Sequence, residues 1–120
     1  MADRVLFTSW GTVVRGREER ALEVFNDILG FYGRLQQEGR IESIDVALLE
    51  PALGVRGYLT IHGSAAQLAE LRGDEEYMRL MVDSELVVDD FSIVEGYANE
   101  GVARQLAIYQ GELAKVPQRV

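Results

Sequence analysis

The sequence contains no cysteine, a single histidine and two prolines among its 120 residues. The absence of cysteine excludes disulfide bonds, thiolate nucleophiles and cysteine-ligated metals, and one histidine cannot form a histidine-rich metal site. No segment approaches the ~20 uninterrupted apolar residues that a membrane-spanning helix needs, and the stretch from residue 1 to 10 is too polar for a signal-peptide core. We therefore expect a cytoplasmic protein with no metal and no membrane partner.

Positive charge is also scarce, because the formal net charge is −8 and the isoelectric point is near 4.6. A protein that binds the phosphate backbone of nucleic acids needs a positive face, so nucleic acid is excluded as an expected partner. The sequence has no glycine-rich phosphate loop and no GxGxxG motif, so no nucleotide cofactor is expected. The acidic residues from Asp74 to Glu76 and from Asp83 to Glu85 do not have the spacing of an EF-hand loop.

Hydrophobic periodicity and turn residues divide the chain into alternating strands and helices. Ser64 with Gln67 resembles a capping box, Asp74 can cap a second helical piece, and Asn99 can cap the last helix. Glu50–Gly54 has the composition of a turn. The predicted elements are strand 5–14, a helix from Gly16 to Gly39, strands 41–49 and 55–62, a split helix from Ser64 past Met81, strand 91–98 and helix 99–116.

This order, β-α-β-β-α-β plus one helix, predicts an α+β ferredoxin-like domain with a four-stranded antiparallel sheet and helices on one face. The length of 120 residues fits a single domain. We expect residues 1–98 to form the βαββαβ core and residues 99–116 the added C-terminal helix.

One face of such a sheet has no helices over it and must face water or a partner. Small residues favour the side that helices approach, so we place Gly57, Leu59, Ile61, Val94 and Gly96 on the helix side. The uncovered side is then predicted to carry Leu6, Thr8, Trp10, Tyr58, Thr60, His62, Phe91, Ile93, Glu95 and Tyr97. That face is too apolar for a monomer surface, and a homodimer covers it with a second copy of the same chain.

The element order, the split helix around Leu71–Tyr77 and the apolar uncovered face resemble the dimeric α/β-barrel superfamily. The resemblance spans nearly the whole chain and rests on pattern, not on an invariant motif. It implies a dimer whose sheets face each other, with ligands held between sheet and helices within a subunit. The superfamily includes cofactor-free monooxygenases, isomerases and haem-degrading monooxygenases. The haem branch has an axial histidine on the second helix, and no histidine lies between Ser64 and Val88, so no haem cofactor is expected.

Five side chains are candidates for a site. His62 and Glu95 are the predicted catalytic acid or base residues, and Trp10, Tyr58 and Tyr97 are predicted to line a pocket for a planar molecule. Each also has a structural interpretation: His62 as a polar strand end or dimer contact, and the aromatic residues as core or interface. Glu95 can instead pair with an arginine such as Arg56 or Arg79.

Two functions follow from these residues. The first is a small dimeric protein that binds, oxidises or isomerises a small apolar organic molecule without a metal or haem, as a cofactor-independent monooxygenase or isomerase does. The alternative is a non-catalytic dimerisation or regulatory module whose aromatic sheet face is only an interface. The sequence leaves the substrate and the presence of catalysis open.

Overall fold

Strands and helices alternate along the chain in the computed structural model, which describes residues 2–51 and 54–119. Ala52 and Leu53, within the turn predicted at Glu50–Gly54, lie outside the described residues. The elements are β1 (Arg4–Trp10), α1 (Glu18–Gln37), β2 (Ser43–Leu48), β3 (Gly57–Gly63), α2 (Ala65–Arg72), α3 (Glu75–Glu85), β4 (Ser92–Tyr97) and α4 (Glu100–Leu113).

The four strands form one antiparallel sheet in the order β2-β3-β1-β4. This order, with α1 between β1 and β2 and the α2–α3 pair between β3 and β4, is the ferredoxin-like arrangement, so the predicted fold class is confirmed. The core lies between the sheet and α1, α2 and α3, and its fully buried side chains come from both layers: Leu6, Tyr32, Leu35, Ile41, Ile61, Leu68 and Leu71.

Local capping chemistry sets the helix ends. Gly39 follows α1 with φ of +73°, its N–H donates to Gln36 O, and the Arg40 N–H donates to Leu35 O, which is a Schellman ending. Ser64 and Gln67 form a reciprocal capping box at the start of α2, and the Asp74 carboxylate accepts the Tyr77 N–H at the start of α3. These three helix ends confirm the sequence predictions.

Strand register shows which side chains share a face, since residues paired across antiparallel strands point to the same side. The helix face carries Leu6, Thr8, Trp10, Ile44, Leu59, Ile61, Ile93 and Glu95. The opposite side, hereafter the open face, carries Val5, Phe7, Ser9, Ser43, Asp45, Ala47, Tyr58, Thr60, His62, Val94 and Gly96.

The predicted faces of β3 are confirmed, whereas those of β1 and β4 are wrong. Trp10 lies on the helix face because its indole fits over Gly57, which has no side chain. Ile93 and Glu95 also lie on the helix face, and Val94 and Gly96 on the open face. The prediction for β4 assumed that small residues face the helices. In the structure, the helix side of β4 instead carries Ile93 and Glu95, and Glu95 lies in a cluster of charged side chains.

α4 follows the core and extends away from it. Its apolar residues Val102, Leu106, Tyr109 and Leu113 are all exposed, and Gly101 is its one buried residue. The radius of gyration is 17.2 Å, against about 14 Å for a compact chain of this length. Asn99 precedes α4 with φ of +50°, but its side chain donates to Ala2 O and does not cap the helix, so that predicted cap is wrong.

Candidate functional site

A cavity of about 360 Å³ opens between the helix face of the sheet and the helices α1 and α3. β1 and β3 supply its floor through Thr8, Trp10 and Leu59. The remaining lining residues come from α1, α3, the end of β2 and the loops beside β1 and β4: Val13, Glu18, Ala21, Leu22, Val24, Phe25, Ile28, Tyr32, Leu48, Met81, Ser84, Val87, Val88 and Phe91. Nearly all of these side chains are apolar, so the cavity suits an apolar guest.

The position of Trp10 depends on Gly57, its partner across β1 and β3. A methyl group on Gly57 would lie 2.5 Å from Trp10 Cζ2 and 2.7 Å from Trp10 Cε2, closer than carbon atoms can approach. The ring of Phe25 contacts the indole edge-on, with centroids 6.0 Å apart. The indole is therefore held between the sheet and α1, as part of the cavity wall.

Three of the lining residues carry a hydroxyl group, Thr8, Tyr32 and Ser84, and all three residues are buried. Ser84 Oγ donates to Leu80 O at 2.8 Å within α3. Thr8 Oγ1 and Tyr32 Oη have no hydrogen-bond partner among residues 2–51 and 54–119. Burial, with a smaller contribution from nearby Tyr77, raises the pKa of Tyr32 far above that of an ordinary tyrosine, so its phenol stays protonated.

Glu18 is the one charged residue among the described residues that line the cavity. It is exposed, at the first turn of α1, and its carboxylate accepts the Gly16 N–H at 2.9 and 3.1 Å. Hydrogen bonds from backbone N–H groups, its own and that of Gly16, lower the pKa of Glu18 from its ordinary value. The cavity wall therefore bears a negative charge and no positive one within the described part of the chain.

The structure does not bring the five sequence-predicted site residues together. Trp10 lines the cavity, whereas Tyr58 and His62 lie on the open face, beyond the sheet. Glu95 and Tyr97 lie at the other end of the sheet, beside Arg4, and neither lines the cavity. Catalytic roles for His62 and Glu95 stay predictions, and within one chain they would act at different places.

Glu95 takes part in an ion-pair cluster. Its carboxylate lies 3.1 Å from Arg4 Nη1 and 3.5 Å from Arg72 Nη1, and the Arg4 guanidinium lies over the Tyr97 ring at 4.6 Å from its centroid. The predicted partners Arg56 and Arg79 do not pair with it: Arg79 binds Glu75 at 2.6 Å on α3. Both carboxylate oxygens of Glu95 are therefore engaged by arginines from β1 and α2.

Sequence reasoning missed Thr8, Phe25 and Tyr32 as cavity residues. Phe25 and Tyr32 belong to the predicted apolar stripe of α1, where a residue that fills the core and one that lines a cavity have the same spacing. The signal that distinguishes Tyr32 is its hydroxyl within a stripe of otherwise apolar residues, since a buried tyrosine usually needs a hydrogen-bond partner.

Two kinds of feature are absent from the described ranges. No group of three or more histidine, aspartate or glutamate side chains in residues 2–51 and 54–119 is placed to hold a metal ion. Within the same ranges, no helix has both the length and the apolar character to cross a membrane.

Comparison with known proteins finds similarity in structure. No protein-family profile and no curated protein sequence matches the chain. A dimeric protein of unknown function and ferredoxin-like fold from Bacteroides fragilis is 14% identical, with a TM-score of 0.58, over 79% of this chain and 96% of that one. A hydroxynitrile lyase from Passiflora edulis is 13% identical, with a TM-score of 0.64, over 83% and 97%.

A third similar structure is SnoaB, a cofactor-independent oxygenase from Streptomyces nogalater, with 16% identity, a TM-score of 0.49 and coverage of 82% of this chain and 93% of that one. At such identities the likenesses concern the fold. The first two likenesses confirm the ferredoxin-like fold.

Proposed function

We propose that this protein binds a small, mostly apolar organic molecule in the cavity between the helix face of the sheet and the helices α1 and α3. The observation that carries the proposal is the cavity itself, with a volume of about 360 Å³ and an almost entirely apolar wall. Ligand sites of proteins fall in the range of roughly 300–1,000 Å³ and combine an apolar lining with a few polar groups.

The wall is also built to persist when the cavity is empty. The indole of Trp10 is held by Gly57 and Phe25. Val24 and Tyr32, which line the cavity from α1, are almost completely buried. Apolar cavities with packed walls remain open and admit apolar guests. Binding therefore requires no large rearrangement of the chain.

We propose a homodimer as the assembled form, joined through the open face. Phe7 and Tyr58 stack on this face with ring centroids 5.6 Å apart, and Val94 beside them is 55% exposed. A contiguous apolar patch on a sheet is typical of an interface, and the similar protein from Bacteroides fragilis is described as dimeric.

The test of binding uses Trp10, the one tryptophan of the chain, as a reporter inside the cavity. We expect tetralin to change the emission of Trp10 in a saturable titration. Ala21→Phe, which places a ring in the cavity, should weaken binding by at least about tenfold. Ala69→Phe on the exposed surface of α2 is the matched control and should leave the affinity unchanged.

Two results would contradict the binding proposal: no saturable response of the unmodified protein, or equal affinity in the Ala21→Phe and Ala69→Phe variants. Turnover is a separate question. If the bound molecule is oxidised or isomerised, alanine variants of His62 and Glu95 test their predicted catalytic roles, and turnover that survives in both variants removes those roles while the binding site stands.

The second candidate function is a non-catalytic dimerisation or regulatory module. The observation that favours it is that the open face and α4 expose apolar side chains that do not line the cavity, among them Phe7, Val94 and Leu106. A protein that dimerises but binds no apolar probe has this function and not the first.

A further inference from the structure

The open face carries an acidic side chain that forms no ion pair within the chain. Asp45 lies on β2, paired with Thr60 of β3, and is exposed. No basic side chain of residues 2–51 and 54–119 lies within ion-pair distance of its carboxylate. Asp45 is also the one carboxylate among the residues that define the open face, so a second copy on this face meets a single negative charge per chain.

A basic side chain without an ion-pair partner lies at one end of the same face. Arg56 immediately precedes β3, and the Leu49 N–H donates to Arg56 O at 2.8 Å, so the pairing of β2 with β3 continues to this residue. Because side chains alternate along a strand, Arg56 lies on the side opposite Gly57, together with Tyr58. Arg56 is half-buried, its Nε has no hydrogen-bond partner, and its guanidinium forms no ion pair among the described residues.

The aromatic patch of the open face lies between these two charges. Arg56 precedes Thr60, the neighbour of Asp45, by four residues. Strand spacing therefore puts the two charged residues about 14 Å apart, too far for an ion pair within one chain. Tyr58 is midway between them and stacks on Phe7. A two-fold axis that lies between two facing sheets and crosses the strands at Tyr58 sets the stacked rings of the two copies together and carries each charge to the opposite charge of the second copy.

We propose that two reciprocal ion pairs fix the orientation of the homodimer, in which Arg56 of each copy binds the partner's Asp45. This inference rests on the homodimer proposed above and names the contacts that select it. A two-fold interface is isologous, so a contact between two different residues occurs twice, once in each direction. The pairs flank the stacked aromatic rings, as polar rims surround the apolar centres of interfaces.

Charge pairing separates this orientation from the others that an apolar patch allows. An axis through Arg56 or through Asp45 sets like charges against each other, which is costly at an interface. A shift of one sheet along the other covers both charges without partners. His62 is the other side chain of the open face that can carry positive charge, but a pair between His62 and Asp45 leaves Arg56 without a carboxylate.

The experiment reverses one charge at a time and then mixes the variants. Arg56→Asp gives a copy with two negative charges at positions 45 and 56, and Asp45→Arg gives a copy with two positive ones. Alone, each variant should dimerise at least about a hundredfold more weakly, because both pairs become repulsive. In an equal mixture both pairs are attractive, so a heterodimer should form with a Kd within about tenfold of that of the unmodified dimer. Sedimentation equilibrium gives the constants, and native mass spectrometry identifies the heterodimer.

Two exposed residues provide matched charge reversals outside the open face. Arg15 lies in the loop before α1 and Asp27 on α1, and neither forms an ion pair among the described residues. Arg15→Asp and Asp27→Arg should leave the dimer Kd unchanged. Equal losses in these controls would show that net charge governs dimerisation and would overturn the inference. His62→Ala should also keep the dimer, and a monomer in this variant would assign the carboxylate to His62 instead.

A dimer that survives both single reversals would overturn the inference and leave the proposed homodimer in place. Variants that stay monomeric when mixed would overturn it as well. Circular dichroism checks that the variants are folded. If a reversal unfolds the chain, Arg56→Gln and Asp45→Asn replace it, and a dimer Kd equal to that of the unmodified protein would count against the pair. A monomeric unmodified protein would remove the homodimer and the ion pairs together, while the ligand cavity would stand.

Discussion

At the scale of single residues, Gly57 determines where Trp10 lies. The indole occupies the space that a side chain at position 57 would take, since a Cβ there would lie 2.5 Å from Trp10 Cζ2. Gly57→Ala should therefore displace the ring toward the cavity and destabilise the protein by roughly 1–3 kcal/mol, the usual cost of overpacking a filled site. Urea unfolding and the emission maximum of Trp10 measure the two effects.

Gly96→Ala is the matched control for this prediction. Gly96 is also a strand glycine, but a Cβ there would meet only Val5 Cγ1, at an ordinary distance of 3.7 Å. A change of stability as large as that of Gly57→Ala would contradict the explanation, because it would reflect the loss of glycine from a strand and not the contact with Trp10.

The sequence shows which residue types could line a ligand pocket more readily than it shows which of those residues meet at one place in the fold. Trp10 was predicted to line a pocket and lies in the cavity wall, whereas Tyr58 and Tyr97 lie elsewhere in the sheet. Thr8 carries no local signal of its own, because the space that makes it a neighbour of the cavity arises only when β1 and α1 pack together.

At the scale of elements, the start of α3 depends on the side chain of Asp74. Its carboxylate accepts the Tyr77 N–H at 3.1 Å and the Arg40 guanidinium at 3.1 Å. These two interactions, the first being the stronger, lower the pKa of Asp74 below its ordinary value of 3.8. Asp74→Ala should cost about 1 kcal/mol of stability at neutral pH, as is usual when an N-cap is lost.

The lowered pKa of Asp74 also predicts the direction of a pH effect. A carboxylate whose pKa is lower in the folded state stabilises the fold above its unfolded pKa, and this contribution is lost as the pH falls through the folded value. The stability difference between the unmodified protein and Asp74→Asn, which keeps a cap but cannot ionise, should shrink as the pH is lowered from 6 toward 3. A difference that is constant with pH in urea titrations would contradict this assignment.

Element order and helix ends could be predicted because their signals are local. The Ser64–Gln67 pair, Asp74 and Gly39 each act within a few residues. The face of a strand is different, because alternation shows which residues share a side but not which side receives the helices. That choice was wrong for β1 and β4. In β1, the large indole of Trp10 fits on the helix face only because its neighbour across the strands is Gly57.

At the scale of the whole molecule, the open face predicts the assembly. We expect a homodimer at micromolar concentration, with twice the 13.4 kDa mass of the chain in sedimentation equilibrium. Val94→Arg should shift the protein to a monomer, because a buried arginine without a partner is costly at an apolar interface. Val82→Arg on α3 is the control, since Val82 is as exposed as Val94, 56% against 55%, but lies in the helix layer.

A monomeric unmodified protein would contradict the dimer, and a dimer that survives Val94→Arg would place the interface elsewhere. In the second case the exposed apolar stripe of α4, with Leu106 and Tyr109, is the next surface to substitute.

The sheet order has a consequence for how the chain is made. β1 is synthesised before the other three strands of the sheet, yet it lies between β3 and β4 and pairs with both. Until β4 is synthesised, some ninety residues later, one edge of β1 stays unpaired. The backbone N–H and C=O groups on that edge can then pair with any other strand. Translation that pauses before Ser92 would therefore leave a nascent chain prone to aggregation, and rapid completion or a chaperone on β1 would protect it.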